Sequence, residues 1–292
     1  MCCWDMSTGK VVDFYRKNWG SIERLLQVDK TLCIHHGLYK KGIYRHYHAV
    51  CSMNDFVGQL LDLGDEHHDF LVLDAGCGIG GTVIYLAQQY PSIHFTGLTV
   101  VPDHVQVAKR LARCMQVSAN TEFIMGDFAK ISIVSGVYDA IFLLESLCYA
   151  LQKPLVIREL FRVLKPGGRL VIIDAFRTNV VLNLFMTHIY GWFCDGWGLP
   201  HLSRLSELKN ILRREGFCDV AVVDLKRQIF PSVVRGIMVG SPYVLLMVLR
   251  KLVRGKAYVM VEDGCFLAAT FVLSALLGVK KAITYAAVTA VK

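Results

Sequence analysis

An α/β fold on a doubly wound, mostly parallel seven-stranded sheet, with an N-terminal arm and helical cap insertions, is predicted from three observations. Short apolar runs of strand length alternate with segments whose apolar residues recur every three to four positions. A glycine-rich loop directly follows the first of these runs. Two further strand-like segments come after it, separated by a long apolar and basic insertion. Such alternation gives parallel strands with helices on both faces.

In chain order, residues 1–66 read as an arm with cap helices, rich in aromatics and histidines, and 67–292 as the sheet-bearing domain. The run 70–75 opens the sheet, and its continuous apolar character suits a strand buried on both faces. Segments 93–98, 122–125, 138–144 and 169–174 continue it. Three helices lie between, each with one apolar face: Val83, Ile84, Leu86 and Ala87; Val105, Ala108, Leu111, Ala112 and Met115; Val156, Ile157, Leu160, Phe161 and Leu164. Pro154 suits the first turn of the third helix, and Pro166-Gly167-Gly168 is expected to end it and turn the chain. A lid at about 176–202 carries Phe185, Met186, Tyr190, Trp192, Phe193 and Trp197. A helix with Leu205, Leu208, Ile211 and Leu212 then ends at Gly216, a suitable stop residue. Segments 218–226 and 282–288 are the last two strands, with a second lid at about 228–281 between them.

Composition narrows the function classes. At 54% hydrophobic and 19% charged, the chain is too apolar for a disordered one, and 24 Gly and 7 Pro without a period exclude a collagen-like one. The net charge is +8, and residues 231–292 hold eight basic side chains against two acidic. Basic residues mixed with apolar runs point to an anionic membrane surface or a partly anionic lipophilic ligand, and away from nucleic acid. Of ten cysteines only Cys2 and Cys3 lie close together, which argues against a zinc ribbon or a disulfide framework. MCCWDMSTGK lacks the apolar run of a secretory signal. The expectation is a cytoplasmic protein with free thiols, Cys2-Cys3 included, with peripheral contact to an anionic membrane as an option. The apolar run 265–279 is shorter than the ~20 residues a bilayer requires and reads as a buried helix.

The sharpest motif is Val72-Leu-Asp74-Ala-Gly76-Cys-Gly78-Ile-Gly80-Gly81. Glycines after a buried strand let the backbone approach a ligand and open a helix whose first amides face it. Gly76, Gly78 and Gly81 also satisfy the dinucleotide pattern G-x-G-x-x-G, so further features must discriminate. They are Asp74 two residues before the first glycine, Gly126-Asp127-Phe128 after the third strand, and Leu164-Lys-Pro-Gly-Gly168 before the fifth. In this order they resemble class I S-adenosylmethionine-dependent methyltransferases, a Rossmann-like family. The resemblance implies S-adenosyl-L-methionine as cofactor, its amino-acid part near Asp74, Gly76 and Gly78. Gly126 and Asp127 would hold the adenine, with Phe128 packed on its ring.

At the end of the second strand that family usually has an acid for the ribose hydroxyls; here stands Gly97-Leu98-Thr99-Val100. Thr99 can hydrogen-bond ribose without the charge-assisted strength of a carboxylate. Gly97-Leu-Thr99 followed by Pro102 resembles the γ-tocopherol, sterol and terpenoid C-methyltransferase group, which also implies cofactor-side roles for Val100 and His104. His35-His36-Gly37-Leu38-Tyr39, preceded by Tyr15 and Trp19, resembles that group's arm. The arm closes over the cofactor, so Tyr15 and Tyr39 are expected in the lid.

A sulfonium methyl is already activated, so such an enzyme chiefly aligns a nucleophile and excludes water. Methylation at carbon also needs a proton removed. Glu145, in Phe142-Leu-Leu-Glu145-Ser146-Leu-Cys-Tyr149, is the leading base: it ends the fourth strand, where open parallel sheets bind ligands. Its alternative is a structural or cofactor-side acid. The E-S-x-x-Y pattern also resembles prenyl-diphosphate C-methyltransferases, for which Arg235 is a candidate diphosphate contact. His35 and His36 are candidates for substrate binding or proton relay, with structural histidines as the alternative. His46 and His48 have no suitable neighbours, and no metal is assigned. The aromatic stripe from Phe185 to Trp197 serves either cation–π stabilisation or lid packing.

These readings lead to methyl transfer onto a lipophilic small molecule, terpenoid, sterol-like or prenylated aromatic, with carbon favoured. N- or O-methylation of an alkaloid, quinone or lipid headgroup is the alternative. A non-catalytic, cofactor-binding, membrane-associated protein is the rival from another class. A nucleic-acid substrate is disfavoured because no D/N-P-P-Y/F segment follows the fourth strand.

Overall fold

The computed structural model describes residues 6–64, 69–254 and 282–292. Cys2, Cys3, the run 265–279 and Lys280-Lys281 lie outside the described residues. The elements are α1 (Met6–Leu26), α2 (Val28–Thr31), α3 (His46–Leu60), β1 (Leu71–Ala75), α4 (Gly81–Gln89), β2 (His94–Thr99), α5 (Pro102–Cys114), β3 (Thr121–Met125) and β4 (Tyr138–Leu144). After a 3-10 turn at Leu147–Tyr149 follow α6 (Lys153–Val163), β5 (Leu164–Arg177), α7 (Leu184–Gly196), α8 (Leu205–Arg214), β6 (Cys218–Asp224), α9 (Lys226–Arg254) and β7 (Ile283–Val291).

The seven strands form one sheet in the order β3-β2-β1-β4-β5-β7-β6. All neighbours are parallel except β7, which runs antiparallel between β5 and β6. The strand order reverses between β1 and β4, and ligands bind outside the carboxyl ends of strands at such a point. Alternate residues feed two cores. Val72, Phe95, Phe142 and Val171 pack with α3, α4 and α5, while Leu73, Ile141, Leu143 and Ile172 pack with α6 and α8. Both faces of the central strands are therefore buried, in keeping with their mostly apolar sequence.

Strand boundaries shift by a few residues, and one predicted turn is absent. Pro166-Gly167-Gly168, expected as a turn, lies inside β5, which begins at Leu164. The reason is a distant partner: Gly167 N donates to Lys292 O (2.8 Å) and Lys292 N to Gly168 O (3.0 Å). Gly167 takes φ +78, and the register with β4 shifts between Tyr138 and Ala140.

The arm docks through its backbone. Leu38 N donates to Ala49 O and Tyr39 N to Gln228 O, so the stretch after His36 is bound by both α3 and α9. Gly37 N donates to Ser232 Oγ (2.9 Å), and Ser232 Oγ donates back to Gly37 O (3.2 Å). Arg235 Nη1 donates to Leu25 O (2.6 Å), which ties α9 to the last turn of α1. Phe14 and Ile22 of α1 form a small cluster that includes Trp197, just past α7.

Candidate active site

The glycine loop leaves β1 in conformations that side chains resist. Gly76, Gly78 and Gly80 all have positive φ (+120, +53 and +83). Gly76 N and Cys77 N both donate to Leu98 O (2.9 Å each), which pins the loop to the end of β2. A Cβ at Gly76 would overlap Ser146, and one at Gly81 would overlap the Leu32 carbonyl. The loop is thus wedged between the end of β4 and the arm.

Two hollows adjoin this loop. The smaller, about 40 Å³, is bordered by Asp74, Gly76, Gly78, Thr82 and His35. Asp74 is 3% exposed, its Oδ1 has no hydrogen-bond partner, and burial pushes its pKa well up, with His35 opposing. A buried carboxylate oxygen without a donor is the mark of a site shaped for a cationic group. His35 supplies the nearby positive charge. Its Nδ1 lies 2.9 Å from His36 O and its Nε2 lies 3.0 Å from Asn54 Oδ1, so both ring nitrogens donate. Burial lowers its pKa, but Cys33, Glu145 and the His36 carbonyl outweigh that and raise it to about 9.

The larger hollow is a cleft of about 110 Å³ reached by Thr99, Val100, His104, Gly126, Asp127 and Phe128. Thr99 Oγ1 accepts from Val101 N (3.3 Å), and Asp127 Oδ1 accepts from Ala129 N (2.8 Å). His104 is driven down to about 4 by burial and is therefore neutral, with its buried Nδ1 lacking a hydrogen-bond partner. Tyr15 and Trp19 of the arm cover it, with ring centroids 5.0 and 5.1 Å away.

A third cavity, about 190 Å³, opens beyond Tyr15, Glu145 and Tyr149, which border the cleft as well. Its walls are largely aliphatic and aromatic, including Ile22, Leu26, Phe193, Trp197, Ile229 and Val233. At its inner end stands Glu145, in a left-handed conformation (φ +52) that a non-glycine residue holds only when its surroundings over-determine it. Those surroundings are evident. Its N–H donates to Ile173 O (2.8 Å), and Oε1 accepts from His36 N (2.8 Å), His36 Nδ1 (2.9 Å) and Tyr285 OH (2.6 Å). Burial pushes the Glu145 pKa up, but His36, His35 and Tyr285 together hold it at about 2. The same pairing raises His36 against its burial. Asp174, within the adjacent strand β5, borders the same cavity and is raised to about 7 by burial.

The structure thus gathers Asp74, Gly76, Gly78, Thr99, Val100, His104, Gly126, Asp127, Phe128, Tyr15 and Glu145 around adjoining hollows. His36 borders the acceptor-side cavity, whereas His35 sits on the cofactor side only. Tyr39 borders none of the three, because its stretch is hydrogen-bonded to α9, where the ring meets Ser232 and Arg235. Arg235 likewise borders none; its guanidinium is used on Leu25. Tyr285 and Asp174 were not expected. An acid ending an apolar strand, the signal that singled out Glu145, is equally present at Asp174. Among the described residues, no cluster of three or more His, Cys, Asp or Glu is placed to hold a metal ion.

Residues 66–196 match the family described as "Methyltransferase domain". This match, together with the relatives below, supports a class I S-adenosyl-L-methionine-dependent methyltransferase. It is 29% identical over 175 residues to the sterol 24-C-methyltransferase ERG6 of Saccharomyces cerevisiae, covering 58% of this chain and 40% of that one. It is 28% identical over 207 residues to the S-adenosyl-L-methionine-dependent Diels-Alderase iccD of Talaromyces variabilis, covering 68% of this chain and 70% of that one. Several curated relatives, ERG6 among them, are thus matched over less than half their length. The fold is shared with a geranyl diphosphate methyltransferase solved with GPP and sinefungin (TM-score 0.74, 15% identity, 98% of this chain and 99% of that one). The cofactor of this family is S-adenosyl-L-methionine, and the chain's residues fit it. Asp74 offers its free oxygen to an ammonium group, the glycine turn offers close backbone approach, and the Thr99–Asp127 cleft has room for a nucleoside.

Proposed function

We propose that this methyltransferase modifies a carbon atom of an uncharged, lipophilic acceptor of terpenoid, sterol-like or prenylated aromatic type. The observation that carries this reading is the third cavity. It is apolar on most sides, it adjoins the cofactor cleft at Tyr15, Glu145 and Tyr149, and Lys226 is the one lysine or arginine bordering it among the described residues. Similarity to a sterol C-methyltransferase supports the same class. A prenyl diphosphate fits this cavity less well, since Arg235 faces elsewhere.

When bound, S-adenosyl-L-methionine supplies an electrophilic methyl group on a positively charged sulfur. The chain's own residues do the rest. Asp74, Thr99 and Asp127 anchor the cofactor at its ends, and Tyr15 and Trp19 shut the cleft from water. Glu145, kept ionised by His36 and Tyr285, sets a fixed negative charge between cleft and cavity. There it stabilises positive charge that builds on the acceptor.

The reading includes a reducing, cytoplasmic setting and peripheral contact with an anionic membrane, from which a water-insoluble acceptor would be drawn. The described cysteines are all free thiols, and Val181, Leu184, Phe185 and Trp192 around α7 are exposed apolar side chains. No helix among the described residues is long and apolar enough to cross a membrane. A second reading, cyclisation of a lipophilic polyene beside the cofactor, draws support from the similarity to the Diels-Alderase.

The test is incubation with methyl-labelled cofactor and an organic extract of the source cells, followed by mass spectrometry. Methyl transfer adds one labelled CH₂ equivalent to an organic-soluble product, whereas cyclisation gives an unlabelled isomer. Failure of the protein to bind S-adenosyl-L-methionine in a calorimeter refutes both.

A further inference from the structure

Two carboxylates face the acceptor cavity from neighbouring strands. Leu144 of β4 pairs with Ile173 of β5, and one residue beyond this pair stand Glu145 and Asp174. Both border the cavity, but their surroundings differ. Glu145 Oε1 is loaded with three donors, one of them on the ring of His36. Asp174 meets only neutral donors: Cys148 N at Oδ2 (2.9 Å) and Ala175 N at Oδ1 (2.7 Å), with the Cys148 thiol beside it. A carboxylate tightly held by a cation is a poor base, and one held by neutral amides in a dry pocket is a good one.

We infer that Asp174 is the catalytic base that takes the acceptor's proton, while Glu145 stays ionised as a fixed counter-charge. The inference rests on the C-methylation reading. In the step, the acceptor's π pair forms the new carbon–carbon bond and displaces a neutral thioether, which keeps the pair of the broken carbon–sulfur bond. The acceptor is left a cation. The C–H pair on the neighbouring carbon then restores the double bond, and that proton passes to an Asp174 oxygen, from which it is lost to water after product leaves.

Every group facing Asp174 bears on its charge. Glu145, Cys148 and Tyr149 approach from the end of β4, His36 from the arm, Tyr15 from α1, Lys153 from α6 and Tyr285 from β7. Glu145 and His36 form a pair, and the Lys153 ammonium donates to Ala150 O and His201 O. Burial therefore dominates, and Asp174 titrates at about 7. It is largely protonated at pH 6 and largely ionised at pH 8.

Decyltrimethylammonium, a lipophilic permanent cation, stands in for the charged acceptor. Its affinity for the full chain saturated with S-adenosyl-L-homocysteine is measured by calorimetry from pH 6 to pH 8. Between these values the ionised share of a group titrating near 7 grows about tenfold, so affinity should rise by up to about tenfold in the wild type and stay flat in Asp174→Asn. A flat wild-type profile, or an equal rise in Asp174→Asn, overturns the inference. Should Asp174→Asn fail to fold, ¹³C-aspartate NMR of the wild type decides. A carboxyl signal titrating near 7 and shifted by the probe sustains the inference, and no aspartate titrating above pH 5 overturns it. Failure of S-adenosyl-L-homocysteine to bind is a separate outcome, and it removes the methyltransferase reading together with this one.

Discussion

The cofactor cleft and the acceptor cavity share Tyr15, Glu145 and Tyr149, yet they are built by opposite rules. The carboxyl ends of β1, β2 and β3 and the turns after them supply one side of the cleft, with Gly76 and Gly78, Thr99 and Val100, and Gly126 to Phe128; the segment from Glu145 to Val156 supplies another. The cavity draws on α1, the arm, β5, α7, α9 and β7, and relies on side-chain bulk. Backbone conformations such as those of Gly76 and Gly78 admit very few residue types, whereas an apolar volume can be filled by many combinations. Cofactor recognition is therefore rigidly specified, and acceptor choice is open to change by substitution.

Four substitutions sharpen or break this contrast, from the largest effect to the smallest. Gly81→Ala forces a methyl group into the Leu32 carbonyl and lifts the arm from the glycine helix. It should lower stability by about 3 kcal/mol, read from the urea midpoint, and an unchanged midpoint would show that the arm yields freely.

Glu145→Gln removes the shared counter-charge and should reduce stability by about 2 kcal/mol at pH 7. The Glu145 pKa is lowered from 4.5 to about 2, so its contribution is complete above about 4.5 and disappears as pH falls through 2. The gap in melting temperature between wild type and variant should narrow from pH 5 to pH 2; a constant gap would assign the loss to packing.

Asp74→Asn should weaken S-adenosyl-L-methionine by about tenfold in calorimetry, as expected for one charge-assisted hydrogen bond. Decyltrimethylammonium binding should stay within twofold, and a matching loss there would mean that cleft and cavity are not separable. Phe193→Leu, which trims the cavity wall, should shift affinity for lipophilic ligands by about threefold. An equal shift in cofactor affinity would contradict the division.

The same contrast explains what was legible in the sequence. The strand at 138–144 agrees with β4 at both ends, because the apolar run from Ala140 to Leu144 stops at Glu145 and Gly136 precedes the strand by two residues. Asp74, Thr99, Asp127 and their neighbours, which the structure gathers around the hollows, each lie beside a strand end that local pattern reveals. Tyr39, expected in the lid, borders none of the hollows for a physical reason: beyond Gly37 the backbone bonds to Ala49 and Gln228. Arg235, one candidate contact for a prenyl diphosphate acceptor, is used by the fold on a helix end more than two hundred residues upstream in the chain. Tyr285 gains its role only because β7 runs beside β5, a pairing that no local pattern encodes.

That pairing also sets a sequence of events during folding. β7 is the last of the seven strands in chain order, yet it enters between β5 and β6 and delivers the Tyr285 hydroxyl to Glu145. Until it enters, β6 has no sheet partner and Glu145 lacks one of its three donors. Threading a late strand between two earlier ones is a long-range, slow event. The apolar cavity, walled in part by Ile283, Thr284 and Tyr285, is consequently complete only once β7 has entered the sheet.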